Sequence, residues 1–155
     1  MNEEFMREAI NLALDGMREN KGGPFGAIVV KDGAIVGRGN NAVTTTNDPT
    51  AHAEVVAIRD ACKNLDTFQL DGCEIYTSCE PCPMCLGAIY WARPSKLYYA
   101  CSKSDAAEAG FDDDFIYNEI DVPISERKIE FIQLLRKEAQ EVFDEWKEKE
   151  DKIKY

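Results

Sequence analysis

One histidine and a closely spaced pair of cysteines are the residues of this sequence best suited to chemistry. His52 is the single histidine, and thirty positions later the chain reaches Cys82, followed by Cys85. Two thiolates three positions apart can hold one metal ion, and an imidazole from another element can complete a set of three zinc ligands at about 2.0–2.3 Å. These residue types and this spacing therefore predict a zinc site formed by His52, Cys82 and Cys85.

A single acidic residue next to the histidine indicates what such a site would do. Three protein ligands leave tetrahedral zinc one open position, where water can bind and ionise near neutral pH. Glu54 follows His52 by two positions, about 200° around a helix, so we expect it to reach that water rather than the ion. A carboxylate there can take a proton and return it to a substrate, which predicts a hydrolytic enzyme. The alternative is a closed structural site with Cys79 as fourth ligand, in which Glu54 has no task.

The elements that must position these residues alternate between helical and strand patterns. Helices are predicted to begin at Asp48-Pro49 and at the prolines around Cys82, so both parts of the metal site would lie at helix N-termini. The other predicted elements are a helix from Asn2 to about Met17, strands at 25–31, 34–39, 73–77, 96–101 and 128–134, and a helix from about 135 to 150. This order predicts an α/β fold: a three-layer α/β/α sandwich with a mixed five-stranded sheet, in one domain spanning residues 1–155.

Charge and composition restrict the partners that such a domain can bind. The chain has 18 Lys and Arg against 29 Asp and Glu, a formal net charge of −11, and the basic residues form no cluster longer than two. This favours a small-molecule substrate over a nucleic acid, whose phosphates the surface would repel. The first residues lack a secretory signal and no apolar run approaches the roughly 18 residues of a membrane span. We therefore expect a cytoplasmic protein without a membrane partner.

Beyond these residue types, the longer motifs resemble a known family. His-x-Glu followed by Pro-Cys-x-x-Cys resembles the signature of the zinc nucleobase deaminases, whose fold is cytidine-deaminase-like. Within that superfamily, four blocks resemble the bacterial guanine deaminases: 22–27, 47–54, 77–92 and 106–113. The segment 128–154 resembles that family less, although the terminal Tyr155 fits again.

The resemblance implies an activity and a set of site residues. The implied reaction is hydrolysis of guanine to xanthine and ammonia, with one Zn²⁺ per subunit on His52, Cys82 and Cys85. It implies a homodimer, and in the guanine deaminases that this chain resembles the subunits exchange their C-terminal segments. It also implies catalytic roles for Glu54 and Asp113, and contacts to the purine base from Asn41, Phe25, Ala53, Trp91 and Tyr155.

Several alternatives remain open on the sequence alone. Asp113 could accept the ring N–H and amino donors of guanine, yet acidic triplets such as 112–114 are usually solvated. Phe25 and Trp91 could equally pack in a core, and Asn41 could simply shape a turn. The same zinc ligands would also serve a deaminase of cytosine or of adenosine in transfer RNA. A non-catalytic interaction module stabilised by zinc is a further alternative.

Overall fold

A four-stranded mixed sheet is the centre of the first of two units in the computed structural model, which describes residues 2–155. The first unit extends to Asp114 and the second runs from Phe115 to Tyr155. The strands are β1 (Gly26–Lys31), β2 (Ala34–Asn40), β3 (Glu74–Cys79) and β4 (Lys96–Cys101). Their order is β2-β1-β3-β4, with β3 and β4 parallel and the other pairs antiparallel. The predicted hairpin is confirmed: Asp32 and Gly33 have φ angles of 50° and 77°, as a type I′ turn requires.

Helices cover both faces of this sheet. The helices of the first unit are α1 (Glu3–Arg18), α2 (Val43–Thr46), α3 (Ala53–Leu65), α4 (Pro83–Ala92) and α5 (Lys103–Glu108). Alternate residues of the strands point to opposite faces, so Ile28 and Tyr76 pack with α1 while Val29 and Ile75 pack with α3 and α4. The predicted three-layer α/β/α architecture is confirmed.

Local capping explains where two of these helices begin. Asn2 caps α1 as predicted, because its side chain accepts a hydrogen bond from the backbone N–H of Glu4. The prediction that a helix begins at Asp48-Pro49 is wrong. Asp48 instead accepts hydrogen bonds from the backbone and hydroxyl of Thr50, which closes a turn, and α3 begins only after His52.

Close contact between β2 and α3 fixes the height of α3 above the sheet. A Cβ atom at Gly39 would lie 2.2 Å from the carbonyl oxygen of Ala53, and one at Gly37 would lie 2.5 Å from that of Ala57. Only glycine permits this approach of strand to helix backbone. The first turn of α3, which follows His52, is thereby held against the sheet.

The second unit contains helices without strands. Its elements are α6 (Asp114–Asp121, whose first residue belongs to the first unit), a short 3₁₀ helix (Ile124–Glu126) and α7 (Arg136–Glu148). The predicted fifth strand at 128–134 is wrong, and the sheet of the described residues has four strands rather than five. A strand must form hydrogen bonds with a neighbouring strand, and within residues 2–155 the segment 128–134 pairs with none. Among residues 2–155, no helix is long and apolar enough to cross a membrane.

Candidate active site

Two helix N-termini bring the predicted metal ligands together. His52 is the N-cap of α3, Cys82 is the N-cap of α4, and Cys85 lies in the first turn of α4. The Nδ1 atom of His52 lies 3.5 Å from the Sγ of Cys82 and 3.4 Å from that of Cys85. Bond lengths of about 2.3 Å to sulfur and about 2.0 Å to nitrogen give tetrahedral N···S edges of about 3.5 Å. Both the donor types and their spacing therefore fit a zinc ion.

The two thiols of this cluster differ in acidity. A hydrogen bond from Cys85, assisted by one with His52, lowers the pKa of Cys82 to about 4. The same interaction with Cys82, together with burial, raises the pKa of Cys85 well above its usual range. Cys82 is therefore the more acidic of the two thiols. A thiolate at a helix N-terminus is stabilised by the backbone N–H groups that point at it.

Glu54 lies beside this cluster in a nearly closed environment, with 6% of its surface exposed. Its Oε2 accepts a hydrogen bond from the Sγ of Cys85 at 3.4 Å, and its Oε1 accepts one from the hydroxyl of Thr77 at 3.3 Å. Burial raises the pKa of Glu54 above its ordinary value. A buried carboxylate next to three residues that could hold a metal ion is suited to exchange protons at such an ion.

Cys79 is separate from the ligand cluster. Its Sγ donates to the backbone carbonyl of Ser102 at 3.5 Å, and burial raises its pKa to about 11. Within the described part of the chain, the group of thiols and imidazole that could hold an ion contains His52, Cys82 and Cys85, with all ligand atoms within 4.8 Å of one another. The arrangement therefore argues against a closed site with Cys79 as fourth ligand.

Asn41 holds two loops at the end of β2. Its side chain is buried, and its Oδ1 accepts hydrogen bonds from the backbone N–H groups of Gly23 and Val43, both at 3.2 Å. The backbone N–H of Asn41 in turn donates to the carbonyl of Phe25 at 3.0 Å. Asn41 therefore fixes the backbone next to Phe25, whatever further contact its amide makes.

An aromatic contact connects Phe25 with the loop that carries Asp113. The rings of Phe25 and Phe111 meet edge to face, with centroids 4.9 Å apart. Asp113 is half-buried, and its pKa is raised by burial and then by the negative charge of the Cys82 thiolate. Asp113 is thus within electrostatic range of the metal ligands rather than fully solvated.

The remaining predicted contact residues differ in exposure. Ala53 is the fully buried first residue of α3, directly between His52 and Glu54. Trp91 lies in the last turn of α4 with 65% of its surface exposed. Tyr155 ends the second unit and is 71% exposed. Substrate contacts by Trp91 and Tyr155 stay predictions.

Thr77 is a residue of the site that the sequence reasoning missed. It lies on β3 between Ile75 and Cys79, and all three are buried. The available signal was alternation along the strand: Thr77 shares its face with Ile75, which packs against α3 and α4, so a hydroxyl there needs a partner. Glu54 is that partner.

A three-layer α/β/α fold with His-x-Glu at one helix N-terminus and Cys-x-x-Cys at another is the arrangement of the zinc-dependent deaminases. Residues 1–101 match the family described as the cytidine and deoxycytidylate deaminase zinc-binding region, and the chain belongs to this family. It is 58% identical to guanine deaminase of Bacillus subtilis over 99% of both chains. The X-ray structure of guanine deaminase from Bacillus subtilis superposes with a TM-score of 0.97 at 59% identity, covering 100% of this chain and 99% of the other. A tRNA-specific adenosine deaminase of Aquifex aeolicus is 37% identical over 79% of each chain.

Proposed function

We propose that this protein catalyses the hydrolytic deamination of guanine to xanthine and ammonia. The observation that carries the proposal is the position of Glu54, buried and in contact with Cys85 of a three-residue metal cluster. Similarity along nearly the whole length to a guanine deaminase supports guanine as the substrate. The proposal includes one deaminase domain formed by residues 1–155. It also places the protein in the cytoplasm, where the thiols of the metal site stay reduced.

One zinc ion per subunit, held by His52, Cys82 and Cys85, is part of the proposal. When bound there, zinc would supply a Lewis acid that makes water nucleophilic near neutral pH. With the ion in place, Glu54 would take one proton from the attacking water and give it to a ring nitrogen of the base. It would then take the proton that remains on the newly added oxygen and give it to the departing amino group, which leaves as ammonia. Its burial excludes competing solvent and keeps the proton between protein and substrate.

The residues around Glu54 would hold the flat base against the metal. Phe25 and Trp91 supply aromatic surface, and the backbone of Ala53 and the amide of Asn41 supply polar contacts. Asp113 would accept the ring N–H and the amino group of guanine, a donor pair that adenine and cytosine lack. Tyr155 would complete the pocket.

Replacing Glu54 by glutamine tests the proton transfer directly. Glutamine keeps the size of the side chain but cannot carry the proton, so Glu54→Gln should reduce kcat for guanine by about 10²–10⁴-fold while zinc content stays unchanged. The matched control is Glu8→Gln on α1, which removes a surface charge that pairs with Arg38. Ammonia release by Glu54→Gln at the wild-type rate would refute the proposed role.

The choice of substrate needs its own assay, because related enzymes act on other bases. Ammonia release is measured with guanine, adenine, cytosine and their nucleosides, and with an RNA stem-loop containing adenosine. We expect release from guanine at a rate that depends weakly on salt. Release from cytosine alone, or from RNA with a steep loss at higher salt, would establish one of the rival functions instead.

We also propose that the enzyme is a homodimer in which the C-terminal segments are exchanged. Exposed apolar side chains in the second unit support this, since soluble monomers rarely expose so many; they are Ile129, Phe131, Ile132, Leu134, Leu135, Val142, Phe143 and Trp146. Strand β4 pairs only with β3, which leaves its other edge without a strand partner in the described chain. An edge without a strand partner is a surface on which a second copy can pack.

A further inference from the structure

We propose that Thr77 is a positioning residue for Glu54: its hydroxyl holds the Glu54 carboxylate in the orientation needed for proton transfer. The inference rests on the proposed deaminase function and adds to it a residue of β3 that touches neither the metal ligands nor the base in the mechanism above. It is carried by one buried contact, the hydrogen bond of 3.3 Å from Thr77 Oγ1 to Glu54 Oε1.

Burial makes this contact more than an incidental one. Thr77 is 1% exposed and Glu54 is 6% exposed, so bulk water has little access to the hydrogen bond between them. Thr77 pairs with Ala27 of β1 and Tyr99 of β4, in the interior of the sheet. A buried hydroxyl among apolar neighbours would be costly without a partner, and valine has the same shape without the hydroxyl. The presence of a hydroxyl at this buried position is therefore explained by its hydrogen bond to Glu54 rather than by packing.

Zinc binding would reduce the number of side chains that donate a hydrogen bond to the Glu54 carboxylate. In the metal-free protein two side chains donate to the carboxylate: Thr77 to Oε1 and the thiol of Cys85 to Oε2. A cysteine that ligates zinc does so as a thiolate and has no proton to donate. Of these two donors, the Thr77 hydroxyl alone persists in the working enzyme. A fixed side-chain donor, together with the backbone N–H of Glu54 that also interacts with the carboxylate, restricts the torsions of this long side chain. Small errors in the placement of a reacting group slow a reaction strongly.

Three substitutions at Thr77 separate this role from a structural one. Thr77→Val removes the hydroxyl at constant shape, Thr77→Ser keeps the hydroxyl, and Thr77→Ala removes it in case valine folds poorly. The matched control is Thr67→Val, since Thr67 Oγ1 also makes hydrogen bonds, but with the backbone of Gln69 rather than with a residue of the site. Each variant is assayed for zinc content and for kcat and KM with guanine, and crystal structures of zinc-loaded wild type and Thr77→Val are compared.

The expected result is a kcat effect with little change in KM. Thr77→Val should lower kcat roughly 10- to 100-fold at full zinc content, Thr77→Ser should stay within about threefold of wild type, and Thr67→Val should leave kcat unchanged. In the crystal structure of Thr77→Val, the Glu54 carboxylate should have moved from its wild-type position. A wild-type kcat for Thr77→Val and Thr77→Ala, or equal losses in the serine and valine variants, would overturn the inference.

Failure of the proposed function would look different. A wild-type protein that releases no ammonia from guanine contradicts the function, and the Thr77 inference is then decided by the two crystal structures. An unmoved Glu54 carboxylate in Thr77→Val would overturn the inference, whichever base the enzyme uses.

Discussion

Guanine presents a ring N–H and an amino group side by side, and Asp113 is a half-buried carboxylate with a pKa raised by burial and by the neighbouring Cys82 thiolate. The two oxygens of a carboxylate can accept hydrogen bonds from both groups at once. An asparagine amide has one oxygen and one NH2 group, so one of the two guanine donors would face another donor. The selectivity proposed above therefore depends at the residue scale on the charge of one side chain.

We expect Asp113→Asn to lower kcat/KM for guanine by about 10²-fold or more, because a site built to accept hydrogen bonds penalises unpaired donors. Asp112→Asn is the matched control: Asp112 is exposed, and its Oδ1 accepts from the backbone N–H of Asp114 at 2.9 Å, a bond that asparagine can also make. Steady-state rates of ammonia release from guanine measure both variants. Equal rates for Asp113→Asn and wild type would exclude a role for this carboxylate in recognition.

At the scale of elements, the site depends on the contact between β2 and α3. The sheet and α3 approach closely because Gly37 and Gly39 have no side chains, and this sets the position of the first turn of α3, where Glu54 lies next to His52. In α4, by contrast, Gly87 has room for a side chain. A Cβ atom added at Gly87 would meet no heavy atom within 4 Å.

Gly39→Ala should destabilise the protein by about 1–3 kcal/mol, since its Cβ would clash with the backbone of Ala53 and force strand and helix apart. The rate of ammonia release should fall as well, because the shift moves the helix that carries Glu54. Gly87→Ala should instead stabilise α4 by up to about 1 kcal/mol through helix propensity and leave the rate unchanged. Urea unfolding followed by circular dichroism measures both free energies. A Gly39→Ala protein as stable and active as wild type would show that the two layers can separate freely.

At the scale of the whole molecule, the decisive question is whether one active site uses residues of two chains. In a dimer with exchanged C-terminal segments, Glu54 of one subunit would work with Tyr155 of the other. Mixed dimers of two inactive variants distinguish this arrangement from a dimer in which each active site uses residues of one chain.

Mixed dimers with differently tagged chains make the test. A Glu54→Gln chain paired with a chain lacking Tyr155 should recover about half of the wild-type activity if the segments are exchanged, since one of the two sites is then intact. The control pairs a wild-type chain with a chain that carries both changes, and it should be nearly inactive. Activity in the control together with an inactive first pair would show that each site is built within one chain.

The sequence by itself determined the features that depend on residue type and short spacing. The metal-site prediction for His52, Cys82 and Cys85 followed from the chemistry of thiolates and imidazole, and the structure brings the candidate ligand atoms within 4.8 Å of one another. The hairpin turn at Asp32-Gly33 and the cap at Asn2 were also predicted, because each is a local interaction within a few residues of chain.

Tertiary structure alone decided what depends on distant partners. Asp48 carries a helix-start signal, but its side chain closes a turn with Thr50, so the helix begins after His52 instead. Residues 128–134 have the composition of a strand, yet a strand exists only where another edge accepts its hydrogen bonds. The bond from Thr77 to Glu54 joins residues 23 positions apart. No local pattern reports which buried groups meet, because packing of the whole chain sets those contacts.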